Sequence, residues 1–307
     1  MRVLVIGGTG FIGRHVVARL VTAGHAVYVP TRLYQRGRDL LVHPSVNLLE
    51  ADVHDDPTLE QLLVESDAVI NLVGILHSRS GQPFGVDFAR AHVELPRRIA
   101  QACRKLDVRR LLHVSALGAS SQGPSGYQRS KAAGEAALAQ VFESFTGGAC
   151  TIFRPSVVFG PEDNFMNRFA RLAKWLPVVP LAGANARLQP VYVGDVADVI
   201  AGALGNPQTY DRTYAVAGMK VYTLAELVSL AARWSGHPRF VLPLPMVIGR
   251  LQAMMFELLP GEPIMSRDNL DSLRVDNVST EPMAPELGVI PRSLEAIVPG
   301  YLGRNRV

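Results

Sequence analysis

Cysteine is scarce in this sequence, and long apolar runs are absent. Only 2 cysteines occur among 307 residues. Cys103 and Cys150 have neither CxxC spacing nor a neighbouring histidine, so we interpret both as reduced, buried thiols and expect no metal site. No apolar stretch reaches the about 20 residues that cross a bilayer, and no signal peptide precedes the first predicted strand. We therefore expect a cytoplasmic protein without a transmembrane segment.

Runs of like charge are also absent. The formal net charge is only +4 and the arginines are scattered, which argues against nucleic acid as a partner. With 48% hydrophobic residues, the chain can bury a large core, and it is long for one simple domain.

Three glycines at three-residue spacing follow a short apolar segment at the start of the chain. Val3–Ile6 predicts a buried strand, and Phe11–Leu20 has helical periodicity. In such a turn the glycines permit a tight bend, backbone approach to a pyrophosphate and close helix packing, while the helix N-terminus adds positive charge. The alternative is an ordinary glycine-rich turn. We favour a dinucleotide site formed by Gly7, Gly8, Thr9, Gly10, Phe11, Ile12 and Gly13.

Strands and helices alternate through the first half of the chain. Further strands are predicted at Val27–Val29, Val46–Ala51, Ala68–Val73 and Leu111–Ser115, and helices at Leu59–Val64, Phe88–Arg104 and Gln128–Phe145. This alternation predicts an α/β, doubly wound, parallel-sheet Rossmann fold. We expect a dinucleotide-binding domain over residues 1–153, to which residues 188–204 return. A mainly substrate-covering region is expected over residues 154–307.

The end of the second strand indicates which dinucleotide binds. A carboxylate there binds the ribose 2′-hydroxyl of NAD, whereas an arginine accommodates the 2′-phosphate of NADP. This chain has Thr31 and Arg32, and Arg36 and Arg38 follow, with Arg14 just after the glycines. We predict NADP(H), with NAD(H) as the lesser alternative; the arginines would otherwise form a solvated loop.

The next two strands also end in residues suited to a nucleotide. Asp52 and Val53 are placed to meet the adenine, and Asn71, Val73 and Gly74 to lie beside the ribose and pyrophosphate. Ligands bind at this carboxyl edge in open α/β sheets. Ordinary turn chemistry is the alternative, because Asp and Gly are common in turns.

Tyr127 and Lys131 form the second strong signal. At i and i+4 they share one face of a predicted helix, so the ammonium can favour the ionised phenol and lower its pKa. Only 4 lysines occur beside 27 arginines, yet one stands here. An exposed, non-functional pair is the structural alternative.

These motifs resemble the short-chain dehydrogenase/reductase superfamily in its extended or atypical branch. Residues 154–161 and 191–197 match segments of that branch. Residues 112–119, 127–135 and 273–277 are similar to the family of the nucleotide-binding accessory subunit of respiratory complex I and its bacterial relatives.

The resemblance implies that Tyr127 exchanges a proton with the substrate and that Lys131 orients the ribose. The hydroxyl residue that polarises the substrate oxygen falls on Ala116. Ser115 is one position earlier, and we expect it to face the other way, because successive residues of a strand point to opposite sides. The catalytic candidates are Tyr127, Lys131 and Ser115. An asparagine of the extended branch corresponds to His92, which we interpret as structural.

An apolar stripe lies in the second half, within residues 244–259. It comprises Val247, Ile248, Leu251, Met254, Met255 and Leu258. Such a stripe usually packs on its own domain. The alternatives are a lipophilic substrate pocket, a partner surface or docking at a membrane surface.

Three functions follow from this reading. We favour an NADP(H)-dependent oxidoreductase acting on a small or lipophilic, quinone-related carbonyl or alcohol. The second is a non-catalytic module that holds NADPH within a larger, membrane-associated assembly, and the third a nucleotide-sugar epimerase or dehydratase.

Overall fold

The computed structural model describes residues 1–258 and 265–303. The strands are β1 (Arg2–Ile6), β2 (Ala26–Thr31), β3 (Val46–Glu50), β4 (Ala68–Asn71), β5 (Arg110–Val114), β6 (Ala149–Pro155), β7 (Val158–Phe159), β8 (Val178–Ala182), β9 (Arg187–Leu188), β10 (Val191–Tyr192), β11 (Thr213–Val216), β12 (Tyr222–Thr223) and β13 (Phe240–Leu244).

The helices alternate with these strands. They are α1 (Phe11–Thr22), α2 (Asp56–Val64), α3 (Val86–Phe88), α4 (Leu95–Lys105), α5 (Gly126–Phe142), α6 (Met166–Trp175), α7 (Val193–Ala203), α8 (Leu224–Trp234), α9 (Met246–Glu257), α10 (Arg267–Ser272) and α11 (Leu294–Leu302). A π-helical segment, Ala89–Glu94, joins α3 to α4. Short 3₁₀ helices span Tyr34–Val42, Pro207–Thr209 and Pro285–Leu287.

The main sheet has seven parallel strands in the order β11-β6-β5-β4-β1-β2-β3. Alternate residues of β1 face opposite sides, as the two-residue period of a strand requires. Val3 and Val5 pack into a core with α1 and α7, whereas Leu4 and Ile6 pack into a second core with α2, α4 and α5. The expected α/β, doubly wound Rossmann fold is therefore confirmed.

The second half contributes to the main sheet and also builds a smaller core of its own. β11 pairs with β6 at the sheet edge, and α7 packs against α1. The third core contains Phe159, Met166 and Leu227, with residues from α6, α8, α11 and the parallel pair β8–β13. The domain boundaries expected from the sequence stay a prediction.

The predicted elements of the first half form close to their expected bounds. The helix expected over 128–145 begins at Gly126 and ends at Phe142, and the one expected over 88–104 contains the π segment. The strand at Thr213–Val216 was not predicted. Both cysteines are free and buried, as expected.

Candidate functional site

The glycine turn between β1 and α1 is closed tightly enough to exclude side chains. Gly7 has φ +85°, and a Cβ there would lie 3.1 Å from the backbone of Leu72 and Val73. A Cβ on Gly13 would lie 2.3 Å from the Gly7 carbonyl oxygen. α1 begins at Phe11 directly after Gly10. Its first amides have no partner within the helix, so this turn offers an anion an open, positively polarised N-terminus.

A cavity of about 420 Å³ opens beside this turn. That volume is within the range of ligand pockets, roughly 300–1,000 Å³. The cavity is lined by Ile6, Gly7, Thr9, Pro30, Thr31, Arg32, Leu33, Arg36, Ala51, Asp52, Val53, His54, Val73 and Leu95. Seven of the predicted cofactor residues are among them. The remaining predicted residues of the turn, Gly8, Gly10, Phe11, Ile12 and Gly13, form its backbone and the start of α1.

Two arginines stand at the rim of the cavity. Arg32 and Arg36 are exposed, and within the described residues neither forms an ion pair. Arg14, by contrast, pairs with Asp39 and donates to the carbonyls of Thr9 and Arg36 at 3.1 and 3.0 Å. Arg14 therefore joins the 34–42 segment to the glycine turn, and its contact with a phosphate stays a prediction.

The ends of β3 and β4 are shaped by side-chain hydrogen bonds. Asp52 Oδ1 accepts from the His54 amide at 3.0 Å. Asn71 is fully buried; its Oδ1 accepts from Val73 N at 3.2 Å, and its Nδ2 contacts His113 Nδ1 at 3.1 Å. The Asn71 amide thus fixes the loop, and direct contact with a cofactor stays a prediction.

Lys131 is buried on α5 and reaches the ends of β4 and β5. Its Nζ donates to the Val114 carbonyl at 3.2 Å, and a Cβ on Gly74 would lie 3.3 Å from that Nζ. Burial lowers the pKa of Lys131 to about 8. The structure therefore brings Lys131 and Gly74 together, although they are 57 positions apart in the chain.

The surroundings of Tyr127 correct one expectation. Burial, and secondarily Asp268, raise the pKa of the phenol to about 12, whereas a lowering by Lys131 was expected. The Asp268 carboxylate accepts from Gly126 N at 2.6 Å and from Tyr127 N at 3.1 Å. Sequence reasoning missed Asp268, since no local pattern links it to a helix 141 positions earlier.

His92 joins the π segment to both the β4 loop and α5. Its Nε2 accepts from Ile75 N at 3.1 Å, so the proton lies on Nδ1, which donates to Ser130 Oγ at 2.9 Å. Ser130 donates in turn to the Tyr127 carbonyl at 2.8 Å. Burial lowers the pKa of His92 to about 2, so the imidazole is neutral. These bonds fit the structural role that the sequence suggested.

Ser115 follows β5 with a buried hydroxyl. Within the described residues its Oγ has no hydrogen-bond partner. Ala116, at the position where the resemblance places a hydroxyl residue, is buried as well. Nearby, Asn277 Nδ2 donates to the Leu117 carbonyl at 2.8 Å, and Ser156 Oγ donates to Asn277 Oδ1 at 2.6 Å. Asn277 therefore ties the 273–277 motif to the loop after β5.

The expected apolar stripe on α9 faces outward. Val247 is 80% exposed, Leu251 57% and Leu258 81%, so packing of the stripe on its own domain is wrong. Leu259, at the end of the segment, lies outside the described residues. Over the described ranges no group of side chains has the composition of a metal site, and no helix is long and apolar enough to span a bilayer.

The chain is similar to proteins of one family. Residues 3–217 match the model of the NAD dependent epimerase/dehydratase family. The chain is 35% identical to NADH dehydrogenase [ubiquinone] 1 alpha subcomplex subunit 9, mitochondrial, of Rattus norvegicus over 98% of this chain and 80% of that protein. It is 28% identical to a ceramide reductase of Caulobacter vibrioides, over 80% and 75% of the two chains. The structure of Thermus thermophilus UDP-glucose 4-epimerase in complex with NAD superimposes with a TM-score of 0.67 and 27% identity, over 89% and 99%.

Proposed function

This chain belongs to the NAD-dependent epimerase/dehydratase family, and from that premise we propose that it is an NADP(H)-dependent oxidoreductase acting on a small or lipophilic carbonyl or alcohol. The observation that carries the proposal is that the two candidate parts lie along one carboxyl edge of the sheet. The glycine turn and its cavity are at one end, and Lys131, with Tyr127 on the same helix, reaches the ends of β4 and β5 at the other. We call the space along this edge the proposed groove. The ceramide reductase relative supports a lipophilic substrate.

The residues of the proposed groove suit a dinucleotide. Glycine at positions 7 and 13 lets the turn close against neighbouring backbone, and the amides that begin α1 would hold the pyrophosphate. Asp52 and Val53 would border the adenine. Val73, Gly74 and Lys131 would border the nicotinamide ribose.

Arg32 and Arg36 favour NADP(H) over NAD(H). No acid ends β2, where Thr31 Oγ1 donates to the Leu33 carbonyl at 3.1 Å, and both arginines face the cavity without an acidic partner in the described part of the chain. Two guanidinium groups that have no acidic partner among residues 1–258 and 265–303 suit a 2′-phosphate.

Arg32→Ala tests this preference. We expect NADPH affinity to fall about ten- to a hundredfold while NADH affinity is unchanged, since a charge-assisted hydrogen bond contributes roughly 1.5–3 kcal/mol. Titration calorimetry with both nucleotides measures the ratio. Arg38→Ala, an exposed arginine of the same segment that does not line the cavity, is the control. An unchanged ratio in Arg32→Ala would refute the assignment.

Tyr127, Lys131 and Ser115 would carry the reaction. A bound nicotinamide supplies or accepts the hydride. Tyr127, whose pKa of about 12 keeps the phenol protonated at neutral pH, donates a proton to the carbonyl oxygen. Ser115, whose buried hydroxyl has no partner in the described part of the chain, would polarise that oxygen.

Tyr127→Phe separates catalysis from binding. We expect NADPH-dependent reduction to fall by a factor of 10² to 10⁴, with NADPH affinity unchanged. The assay follows NADPH oxidation with aldehydes and quinones of increasing chain length. The nucleotide-sugar alternative is tested separately, by chromatography of UDP-glucose incubated with the protein, which separates the 4-epimer. Tyr34→Phe, an exposed tyrosine, is the control. Full activity in Tyr127→Phe would remove the phenol from the mechanism.

The similarity to a respiratory-chain subunit over almost the whole chain favours a second candidate, a module that holds NADPH without turnover. Ala116 at the expected hydroxyl position supports it.

The nucleotide that co-purifies with the protein distinguishes the oxidoreductase from the holding module. A turning-over enzyme exchanges it rapidly with added NADPH, whereas a holding module retains it. If the protein binds neither NADPH nor NADH at saturating concentrations, both candidates are wrong.

A further inference from the structure

α9 packs on the protein through its small residues. A Cβ on Gly249 would lie 2.3 Å from Ala182 Cβ, and Ala253 is buried beside Ala182 and Leu270. The large apolar side chains point away from the protein. At 100° per residue, Met254, Val247, Leu258, Leu251, Met255 and Ile248 occupy one continuous arc. An ordinary surface helix has the reverse arrangement.

The same surface continues over the neighbouring strands. Phe240 and Leu242 of β13 pair with Val178 and Pro180 of β8, and paired residues of parallel strands share a face. Phe240 is 68% exposed, and Trp175, just before β8, is 77% exposed. We call this surface, formed by the outer arc of α9 with Trp175, Val178, Phe240 and Leu242, the docking face.

Cations border the docking face, and the two acids beside it on α9 and α10, Glu257 and Asp271, are paired with Arg267 and Arg250. Residues 164–182 and 233–256 include six arginines and lysines and neither aspartate nor glutamate. Lys174 is exposed next to Trp175. Arg239, next to Phe240, donates to the Ala173 carbonyl at 2.9 Å, which holds it at the same edge. An apolar helix face with a basic border complements an anionic bilayer, because the side chains enter the acyl region and the cations meet the headgroups.

We propose that the docking face attaches this protein to the surface of an anionic lipid bilayer, with α9 lying in the plane of the interface. A helix of 12 residues cannot span the hydrocarbon core, which takes about 20. The charge of the surrounding segments selects lipid over a second copy of the chain, since two identical basic faces would repel each other. The inference does not depend on the proposed function.

Vesicle flotation of the full chain tests the proposal. Vesicles of phosphatidylcholine containing about one third phosphatidylglycerol should carry the protein, and vesicles of phosphatidylcholine alone should not. Val247→Glu should weaken binding at least about tenfold, because it places a charge within the apolar arc. Val64→Glu, the same substitution at a 66% exposed valine on α2 and outside the docking face, should bind like the wild type. Lys174→Glu should weaken binding about fivefold or more and Arg97→Glu, on α4, should not.

Fluorescence gives a second readout that needs no change on the docking face. The chain has 2 tryptophans, so Trp234→Phe leaves Trp175 as the single reporter. Anionic vesicles should shift its emission to the blue, and brominated lipid should quench it. Absence of binding, equal binding by Val247→Glu, equal binding to neutral vesicles, or a dimer that Val247→Glu dissociates would each overturn the proposal.

Discussion

The glycine-turn end of the proposed groove, around Gly7 and Arg32, differs in construction from the end that holds Tyr127 and Lys131. The first consists of backbone and of exposed side chains around an open cavity. The second consists of the buried ammonium of Lys131, the phenol of Tyr127 and the imidazole of His92. Hydrogen bonds connect the imidazole to the β4 loop and to α5, and the ammonium to the end of β5. Open amides and free guanidinium groups suit binding and selection, whereas burial changes the pKa values that chemistry needs.

Gly13→Ala should have the largest effect, because a Cβ there meets backbone that cannot move aside. We expect a loss of roughly 1–3 kcal/mol in the free energy of unfolding and at least about tenfold weaker NADPH binding. Thermal unfolding and nucleotide titration measure both. Gly202→Ala on α7, where an added Cβ meets nothing within 4 Å, is the matched control and should be neutral or stabilising. Equal behaviour of the two variants would contradict a tight turn.

Lys131→Met tests the buried end through pH. The native ammonium loses its proton near pH 8, whereas its ordinary pKa is 10.5, so between these values the unfolded chain binds more protons. The stability of the wild type should therefore rise with pH relative to Lys131→Met over this window, by on the order of 3 kcal/mol. Denaturant unfolding at several pH values measures the difference. Lys174→Met, an exposed lysine, should track the wild type. If the difference in stability between the wild type and Lys131→Met does not change with pH, the Lys131 ammonium is solvated.

The two ends also differ in how far the sequence predicts them. The turn, the parallel sheet and the Tyr127–Lys131 face follow from periodicity and glycine spacing within short windows. Asp268 could not be found this way, because its contact with α5 depends on how the second half folds back. The sequence also does not determine whether the apolar stripe of α9 faces the protein or the solvent. Gly249 and Ala253 are apolar too, and periodicity does not say which apolar face packs inward.

Ser115→Ala should separate stability from activity at the buried end. Its hydroxyl has no partner within residues 1–258 and 265–303, so its removal should raise the free energy of unfolding by about 1 kcal/mol. If Ser115 polarises the substrate, turnover should fall about 10²-fold in the same variant. Ser130→Ala is the matched control: this buried hydroxyl bonds His92 and the Tyr127 carbonyl, so its loss should destabilise. Destabilisation by Ser115→Ala would show that the hydroxyl is paired in solution.

Asp268→Asn should have the smallest effect, and it tests whether the second half tunes the tyrosine. Asp268 accepts two hydrogen bonds from α5, one at each oxygen, and the Asn amide retains one acceptor. The loss of stability should therefore be about 1 kcal/mol, the net value of the one lost hydrogen bond. The negative charge is removed, however, and the pKa of Tyr127 should move down from about 12 toward 10 without reaching it, since burial is the larger cause of the shift. Phenolate absorbance is followed against pH in the wild type and in Asp268→Asn, each with and without Tyr127→Phe. The part of the absorbance that Tyr127→Phe removes gives the pKa of Tyr127 in each protein. Asp276→Asn, which alters an exposed ion pair with Arg187, should leave the titration unchanged. An unmoved Tyr127 titration in Asp268→Asn would mean that burial alone sets the phenol, and that α10 acts on α5 only as a helix cap.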